Sequence, residues 1–247
     1  MTDWAQIGMV AGVLVAAATQ RITGLGFALV SAPLLVLASG PVSGVLLANV
    51  LSLVTNLLVL AQTWRDVDVK RVLLLGIPAL CLVPVGQLVA HSLPPAVLMV
   101  GIGGLVLAAL AALRWLRGGA VFAGPGGAVA AGALSGFMNV TAGVGGPAVT
   151  LYAIGSRWSH DSFVGSMQLY FAVVNTGSIT AKGLPHIGTQ PLIEVLLALI
   201  AGLGVGHALS RRIPADRART AVLVMAILGA TGTVLKGLAL LLSGAEP

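Results

Sequence analysis

The stretch GALSGFMNVTAGVGGPAVTLYAIG, residues 132–155, interrupts an apolar run with Asn139, Thr141, Gly143, Gly145, Gly146 and Pro147. Glycine and proline end helices, and backbone freed by such an ending carries polar groups that need partners. How the rest of the chain tolerates this interruption decides the fold.

The surroundings are far too apolar for a soluble domain. Of 247 residues 57% are hydrophobic and 8% charged, with a mean hydropathy of +1.04. A helix needs roughly 20 apolar residues to cross a bilayer. Runs of that order lie at about 4–20, 42–63, 72–91, 95–116, 121–138, 160–181, 191–210 and 219–242. They are continuous rather than alternating, which excludes a closed barrel. The formal charge of +6 sits in short loops between these runs, so it reads as a topology signal and not as a nucleic-acid footprint. No basic n-region precedes the first run, and no removable signal peptide is expected. Cys81, the single cysteine, cannot form an intramolecular disulfide and reads as a small buried apolar residue. With no charged tail and no soluble segment in view, the work of the protein falls within the membrane.

Shifting the chain against itself by 119 residues lays Gly24-Leu25-Gly26 on Gly143-Val144-Gly145, Val30 on Val149, Ser31 on Thr150, Val54 on Val173 and Asn56 on Asn175. One residue later in register, Val85-Gly86 falls on Val205-Gly206 and Pro94 on Pro214. The loops carry independent information. RDVDVKR at 65–71 holds three bases where its counterpart PHIGTQP at 185–191 holds no Lys or Arg; HSLPPA at 91–96 has none where RRIPADRAR at 211–219 has four. Arg114 and Arg117 close the first half, whereas the second ends in SGAEP. By the positive-inside rule, corresponding loops then face opposite sides, which describes an inverted-topology repeat with an odd number of crossings per half. The expected fold is an all-α polytopic membrane protein with repeats at 1–118 and 119–247 forming one integrated membrane domain, both termini outside the cytoplasm. Each half carries a glycine-broken short helix or re-entrant hairpin; in the first half the short helix is expected at about 27–39.

A short helix that starts at a break aims its free N–H groups, and the positive end of its dipole, at whatever precedes it. That is an anion site built without a charged side chain. Gly24, Gly26, Gly143, Gly145 and Gly146 let backbone approach a ligand closely, and Pro147 suits the first helical position, where no N–H is needed. The competing reading is that these glycines only permit close helix packing. Polar company favours the site: Gln20, Arg21 and Thr23 before the first break, Asn139 and Thr141 before the second, and the repeat-related Asn56 and Asn175. Buried amides can equally serve only to join helices. The candidate substrate-binding residues are therefore Arg21, Gly24, Gly26, Asn56, Asn139, Thr141, Gly143, Gly145, Gly146 and Asn175.

Arg21 stands either at a membrane face, where it snorkels, or opposite an anion. Lys182 reads as an interfacial anchor, and Lys236 as a snorkelling residue or a pore-lining one. Ser31 and Thr150 read as back-bonding within their helices, and Tyr170 as packing or lining. His91, His160 and His186 read as loop residues, whereas Glu194 and His207 are the candidates for proton coupling. No catalytic, cofactor or metal constellation is found: the histidines lack ligand spacing, Cys81 has no neighbouring His, and no phosphate or dinucleotide fingerprint occurs.

The paired segments GLGFALVSAPLLVL and NVTAGVGGPAVTLYA, one per half, resemble the sulfite exporter TauE/SafE family, and the likeness covers the chain in length and organisation. The resemblance implies a bacterial inner-membrane secondary transporter, not an enzyme, that moves sulfur-containing anions such as sulfite, thiosulfate or organosulfonates like sulfoacetate, often outward. Family members carry a proline soon after the glycines of each motif, here Pro33 and Pro147. Phe27-Ala28 stands where the second motif has Gly146-Pro147, so the two half-sites are not expected to be chemically equal. The expected partners are a small anionic substrate and the lipid bilayer, with proton coupling and a homodimer open. A carrier of carboxylates or an anion channel built from the same parts remains the alternative reading.

Overall fold

The computed structural model describes residues 3–23, 27–115, 122–183, 188–210 and 215–243. Among them the chain forms ten α-helices and no strand: α1 (Asp3–Thr23), α2 (Phe27–Ser39), α3 (Pro41–Thr63), α4 (Val69–Ser92), α5 (Pro95–Trp115), α6 (Gly124–Ala142), α7 (Gly146–Gly155), α8 (His160–Lys182), α9 (Thr189–Ser210) and α10 (Ala215–Ser243). A single 3₁₀ turn, Trp64–Asp66, links α3 to α4. Five helical segments are long and apolar enough to cross a membrane: Pro41–Asp66, Val69–Ser92, Pro95–Trp115, Thr189–Leu209 and Thr220–Ser243. α8 has the length but not the apolarity, because it buries Ser166, Gln168, Asn175 and Ser178 inside the protein.

Local chemistry sets the helix ends. Asp68 caps α4 by accepting from the Arg71 N–H at 3.2 Å, satisfying one orphan donor of the first turn. Pro41 opens α3, where its missing N–H costs nothing. Gly143 and Gly183 end α6 and α8 with φ of 71° and 86°, a left-handed backbone that side chains disfavour.

The helices pack across the halves of the sequence. α1 lies against α9, and α6 against α4; α10 meets α2, and α5 meets α7; α3 pairs with α8, and α5 with α10. One apolar core gathers Met9, Val13, Leu35, Leu47, Leu199 and Ala226, drawn from both ends of the chain. A second gathers Leu75, Ala79, Ala131, Val149, Met167 and Tyr170 from α4 and α6 to α8. Neither half of the sequence is a core of its own. The outer surface stays apolar, with Leu73, Ile77 and Leu88 on α4, Leu197 and Ile200 on α9, and Leu228 and Leu235 on α10 all exposed, as lipid contact requires. Cys81 belongs to that exposed surface and not to the interior expected for it, because α4 turns Ala79 and Val83 inward and leaves Cys81 outside.

Where lipid supplies no hydrophobic drive between helices, close backbone approach supplies dispersion contact instead. A Cβ on Gly132 or Gly136 of α6 would fall 2.2 Å from the carbonyl oxygens of Leu75 and Ala79 on α4. A Cβ on Gly202 of α9 would fall 2.4 Å from Leu14 O of α1, and one on Gly103 of α5 would fall 2.5 Å from Ala230 O of α10. Backbone cannot yield as a side-chain tip can. Gly136→Ala is therefore expected to cost about 1–3 kcal/mol, the usual penalty of overpacking, and to lower the thermal unfolding temperature in detergent. Gly104→Ala, which meets nothing within 4 Å, should leave it unchanged; equal behaviour of the two variants would contradict this packing.

Candidate functional site

The second helix break is resolved in full. α6 runs four residues beyond its expected end at 138, because Gly143 N–H still bonds Asn139 O at 2.9 Å and the Thr141 hydroxyl bonds Phe137 O at 2.7 Å. Asn139 and Thr141 thus occupy the last turn of α6 rather than the break. Gly143, Val144 and Gly145 then fold the chain back, and α7 starts beside Ser135, whose Oγ lies 2.6 Å from where a Gly145 Cβ would stand. Gly145 is required there by contact. Gly143 needs its left-handed φ, and a Cβ on it would touch Ala32 of α2 at 3.1 Å and Ala48 of α3 at 3.5 Å.

α7 begins without a side-chain cap, and Pro147 takes the second helical position rather than the first. The N–H groups of Gly146 and Ala148 have no partner among the described residues. A Cβ on Gly146 would meet nothing within 4 Å, so open space lies beside the first residue of this helix.

The first break differs. Phe27 N–H, at the start of α2, donates to Gln20 Oε1 at 3.0 Å. Gln20 stands where the 119-residue shift places Asn139, so the same position caps one short helix and braces the other hairpin. Ser31 Oγ is buried without a partner, whereas Thr150 Oγ1 back-bonds Gly146 O at 2.9 Å. Gly24, Gly26 and the Arg21 side chain lie outside the described residues.

Asn139 and Asn175 are brought together. Asn139 Nδ2 donates to Asn175 Oδ1 at 3.0 Å and to Ser178 Oγ at 3.1 Å, which ties α6 to α8 and uses both of its amide hydrogens. Asn175 accepts through Oδ1, and its NH₂ group has no partner among the described residues. Asn56 on α3 is buried, and its amide has no hydrogen-bond partner among the described residues. α3 and α8 meet where Gly165 abuts Thr63 O and where the Asp68 N–H donates to Ser166 Oγ at 2.8 Å. Counting away from that contact at about 1.5 Å per residue puts Asn56 and Asn175 within about one helical turn of the same depth.

Sequence reasoning missed Asn49, Ser52 and Ser135, and left Tyr170 open between packing and lining. Asn49 and Ser52 on α3 and Gln168 on α8 each bury a polar atom that has no partner among the described residues, while the buried hydroxyls of Ser135 on α6 and Tyr170 on α8 face each other. Asn49 is fully buried and neither of its amide atoms is bonded. It stands on the α3 face whose Val45 and Ala48 approach Gly143. A signal was present: the 119-residue shift lays Asn49 on Gln168, both amides in apolar helices. Leaving one such group unsatisfied costs about 1–3 kcal/mol, so a cluster of them marks a place where water or a ligand completes the bonding.

A cavity opens at the end of the bundle nearest Thr141. It is lined by Pro41 at the start of α3, Gln87 and His91 of α4, Leu98 of α5, Thr141 of α6 and Lys182 at the end of α8. Of the other polar residues, Lys236 donates to Leu37 O at 2.9 Å, placing a cation on the C-terminal carbonyls of α2. Glu194 accepts from Gln6 and Gln190 near one end of α9. His160 and His91 are exposed, and His186 lies outside the described residues. No group of three or more His, Cys, Asp or Glu suited to a metal ion occurs among the described residues.

An all-helical bundle with an apolar exterior and buried polar residues at its centre is the make-up of a multi-pass membrane protein. Residues 9–233 match the sulfite exporter TauE/SafE family, and the chain belongs to that family, whose members are membrane transporters of sulfur anions and not enzymes. No curated protein and no solved structure matches the chain.

The α6–α8 bracing yields a direct test. Asn139→Ala removes both amide bonds and leaves Asn175 Oδ1 buried and unpaired, at a cost of about 1–3 kcal/mol, visible as a lowered unfolding temperature. Thr180→Ala, exposed on α8, should not alter it. An unchanged temperature for Asn139→Ala would show that the Asn139–Asn175 contact carries no stability.

Proposed function

We propose that this protein exports a small sulfur-containing anion, such as sulfite, thiosulfate or an organosulfonate, by alternating access across a bacterial inner membrane. The anion binds between the two glycine-rich breaks. The observation that carries this reading is the start of α7: a helix N-terminus without a side-chain cap, with open space beside Gly146.

The chemistry suits such a cargo. A sulfonate or sulfite presents three acceptor oxygens with a delocalised charge, and several weak donors match it better than one fixed ion pair. In the proposed site the N–H groups of Gly146 and Ala148 take one oxygen, and Asn175 Nδ2 and the Asn56 amide take others. Gly143 and Gly145 keep side chains out of the way, Thr141 lies toward the cavity, and Asn139 fixes the orientation of Asn175. Arg21, Gly24 and Gly26 are assigned to the first half of the same site. A site of weak, shared contacts releases as well as binds, as turnover requires.

The swapped packing supports an inverted repeat. The shift pairs α1 with α6 and α4 with α9, so the α1–α9 and α6–α4 contacts are two copies of one arrangement. The α2–α10 and α7–α5 contacts are a second such pair, while α3–α8 and α5–α10 map onto themselves. With hairpins that return to the side they enter from and three crossings per half, the basic loops at 65–71 and 211–219 fall on the cytoplasmic side and both termini outside. Rocking of the α1–α2–α9–α10 group against the α4–α6–α7 group would then expose the centre to each side in turn.

A ligand that binds the folded state raises its apparent stability. Purified protein is expected to be stabilised by sulfite, thiosulfate or sulfoacetate and not by simple carboxylates. Arg21→Ala, Asn56→Ala and Asn175→Ala should each weaken that binding by about 10- to 100-fold, the worth of a hydrogen bond to a charged group. Stabilisation by carboxylates alone would overturn the substrate class; undiminished affinity in Arg21→Ala and Asn175→Ala would overturn the site.

A further inference from the structure

Lys182 has more in its surroundings than an anchor needs. It ends α8, is half-buried, and lines the cavity at that end of the bundle with Gln87, His91 and Thr141. It has no hydrogen bond and no ion pair among the described residues; the one salt bridge there joins Arg71 to Asp68, beside the start of α8. No carboxylate lines the cavity. The remaining wall is aliphatic, contributed by the starts of α3 and α5 and by Ala90 of α4. Gln87 Oε1 is buried there without a partner. An ammonium held against an apolar wall without a counter-charge is costly to desolvate, and a mobile anion removes that cost.

The floor of the cavity gives it direction. Thr141 stands two residues before Gly143, so the cavity wall includes the last turn of α6 beside the helix break. Pro41, His91 and Lys182 sit at or beside helix termini and form the mouth. A ligand passing between the break and this face of the membrane meets Lys182.

We propose that Lys182, with Gln87 and His91, forms a second anion subsite, a docking point for a small oxyanion at the mouth of the cavity above the α6–α7 break. The ammonium supplies the charge and two or three N–H donors. Gln87 Oε1 accepts from a hydroxyl of a protonated oxyanion or from a water it brings. Thr141 marks the step from this subsite to the centre. The subsite rests on the anion-transport reading and adds a step to it: a cation at the mouth concentrates the anion by field, while the centre selects by shape and hydrogen bonding.

The test uses full-length protein in liposomes and radiolabelled thiosulfate or sulfite counterflow. A Cys81→Ser parent removes the native thiol, and Lys182→Cys is made in that background. Lys182→Cys is expected to raise the apparent KM about tenfold, the worth of one hydrogen bond to a charged group. Aminoethyl methanethiosulfonate, which restores a cation, should return the KM toward the parent value; the neutral methyl reagent should not, and the sulfonatoethyl reagent should raise it further. Lys182→Arg should keep the parent KM. A parent KM in unmodified Lys182→Cys, or equal rescue by the neutral reagent, would overturn the subsite and leave the transport reading standing. No counterflow of either anion by the Cys81→Ser parent would overturn the transport reading, and the subsite with it.

Discussion

Inside a bilayer a backbone N–H released by a broken helix has no water to bond, so a break is tolerated only where protein or a wet cavity receives it. The rest of this molecule is arranged around that constraint. Two short helices, α2 and α7, begin inside the bundle, and each freed N–H group must find a partner. At α2 the Gln20 side chain provides one. At α7 no side-chain cap is provided, and the space beside its first residue is open. Glycine at 132 and 136 lets α6 press onto α4, which holds the α6–α7 hairpin rigid while its tip stays unsatisfied. Stability is concentrated in backbone contact so that the polar centre can remain incomplete.

The partition between bracing and available groups follows the same logic. Asn139 spends both amide hydrogens within the protein and leaves the Asn175 donors without a partner among the described residues. Asn49 and Ser52 on α3 also bury polar atoms without a partner among them. None of these groups carries a formal charge at neutral pH, so they avoid the desolvation penalty of a buried ion. In the proposed cycle charge comes from Arg21 in the first half of the site and from Lys182 at the mouth. The two breaks are chemically unequal, one capped and one open, so a rocking exchange between the halves would present different surfaces to the two sides of the membrane.

Much of this architecture could be read from the amino acids. The boundaries of α2 follow from Gly24–Gly26 and Ser39-Gly40-Pro41, and the eight apolar runs correspond to helices. The end of α6 could not be placed, because Gly143 ends the helix only through a left-handed φ, and Asn139 and Thr141 look like break residues until their backbone bonds are known. The Asn139–Asn175 bond joins helices whose register no local pattern fixes. Cys81 was misjudged since composition says a residue is apolar but not whether it faces protein or lipid. The buried polar cluster was legible only in part: Asn56 and Asn175 stand out through the 119-residue shift, while Ser52 and Ser135 are common helix residues whose burial appears only in three dimensions. Lys182 read as an interfacial anchor from its place at a helix end; the cavity beside it depends on where α3, α4 and α5 begin and end.

The account turns on where the anion sits. Selenite is a close structural analogue of sulfite and scatters X-rays anomalously, so a crystal of the protein grown with it would locate the ligand directly. The account predicts an anomalous peak before the start of α7, within hydrogen-bonding reach of the Gly146 N–H and the Asn175 amide. Selenite bound only at the protein surface, with ordered lipid or side chains filling the space before Gly146, would contradict it.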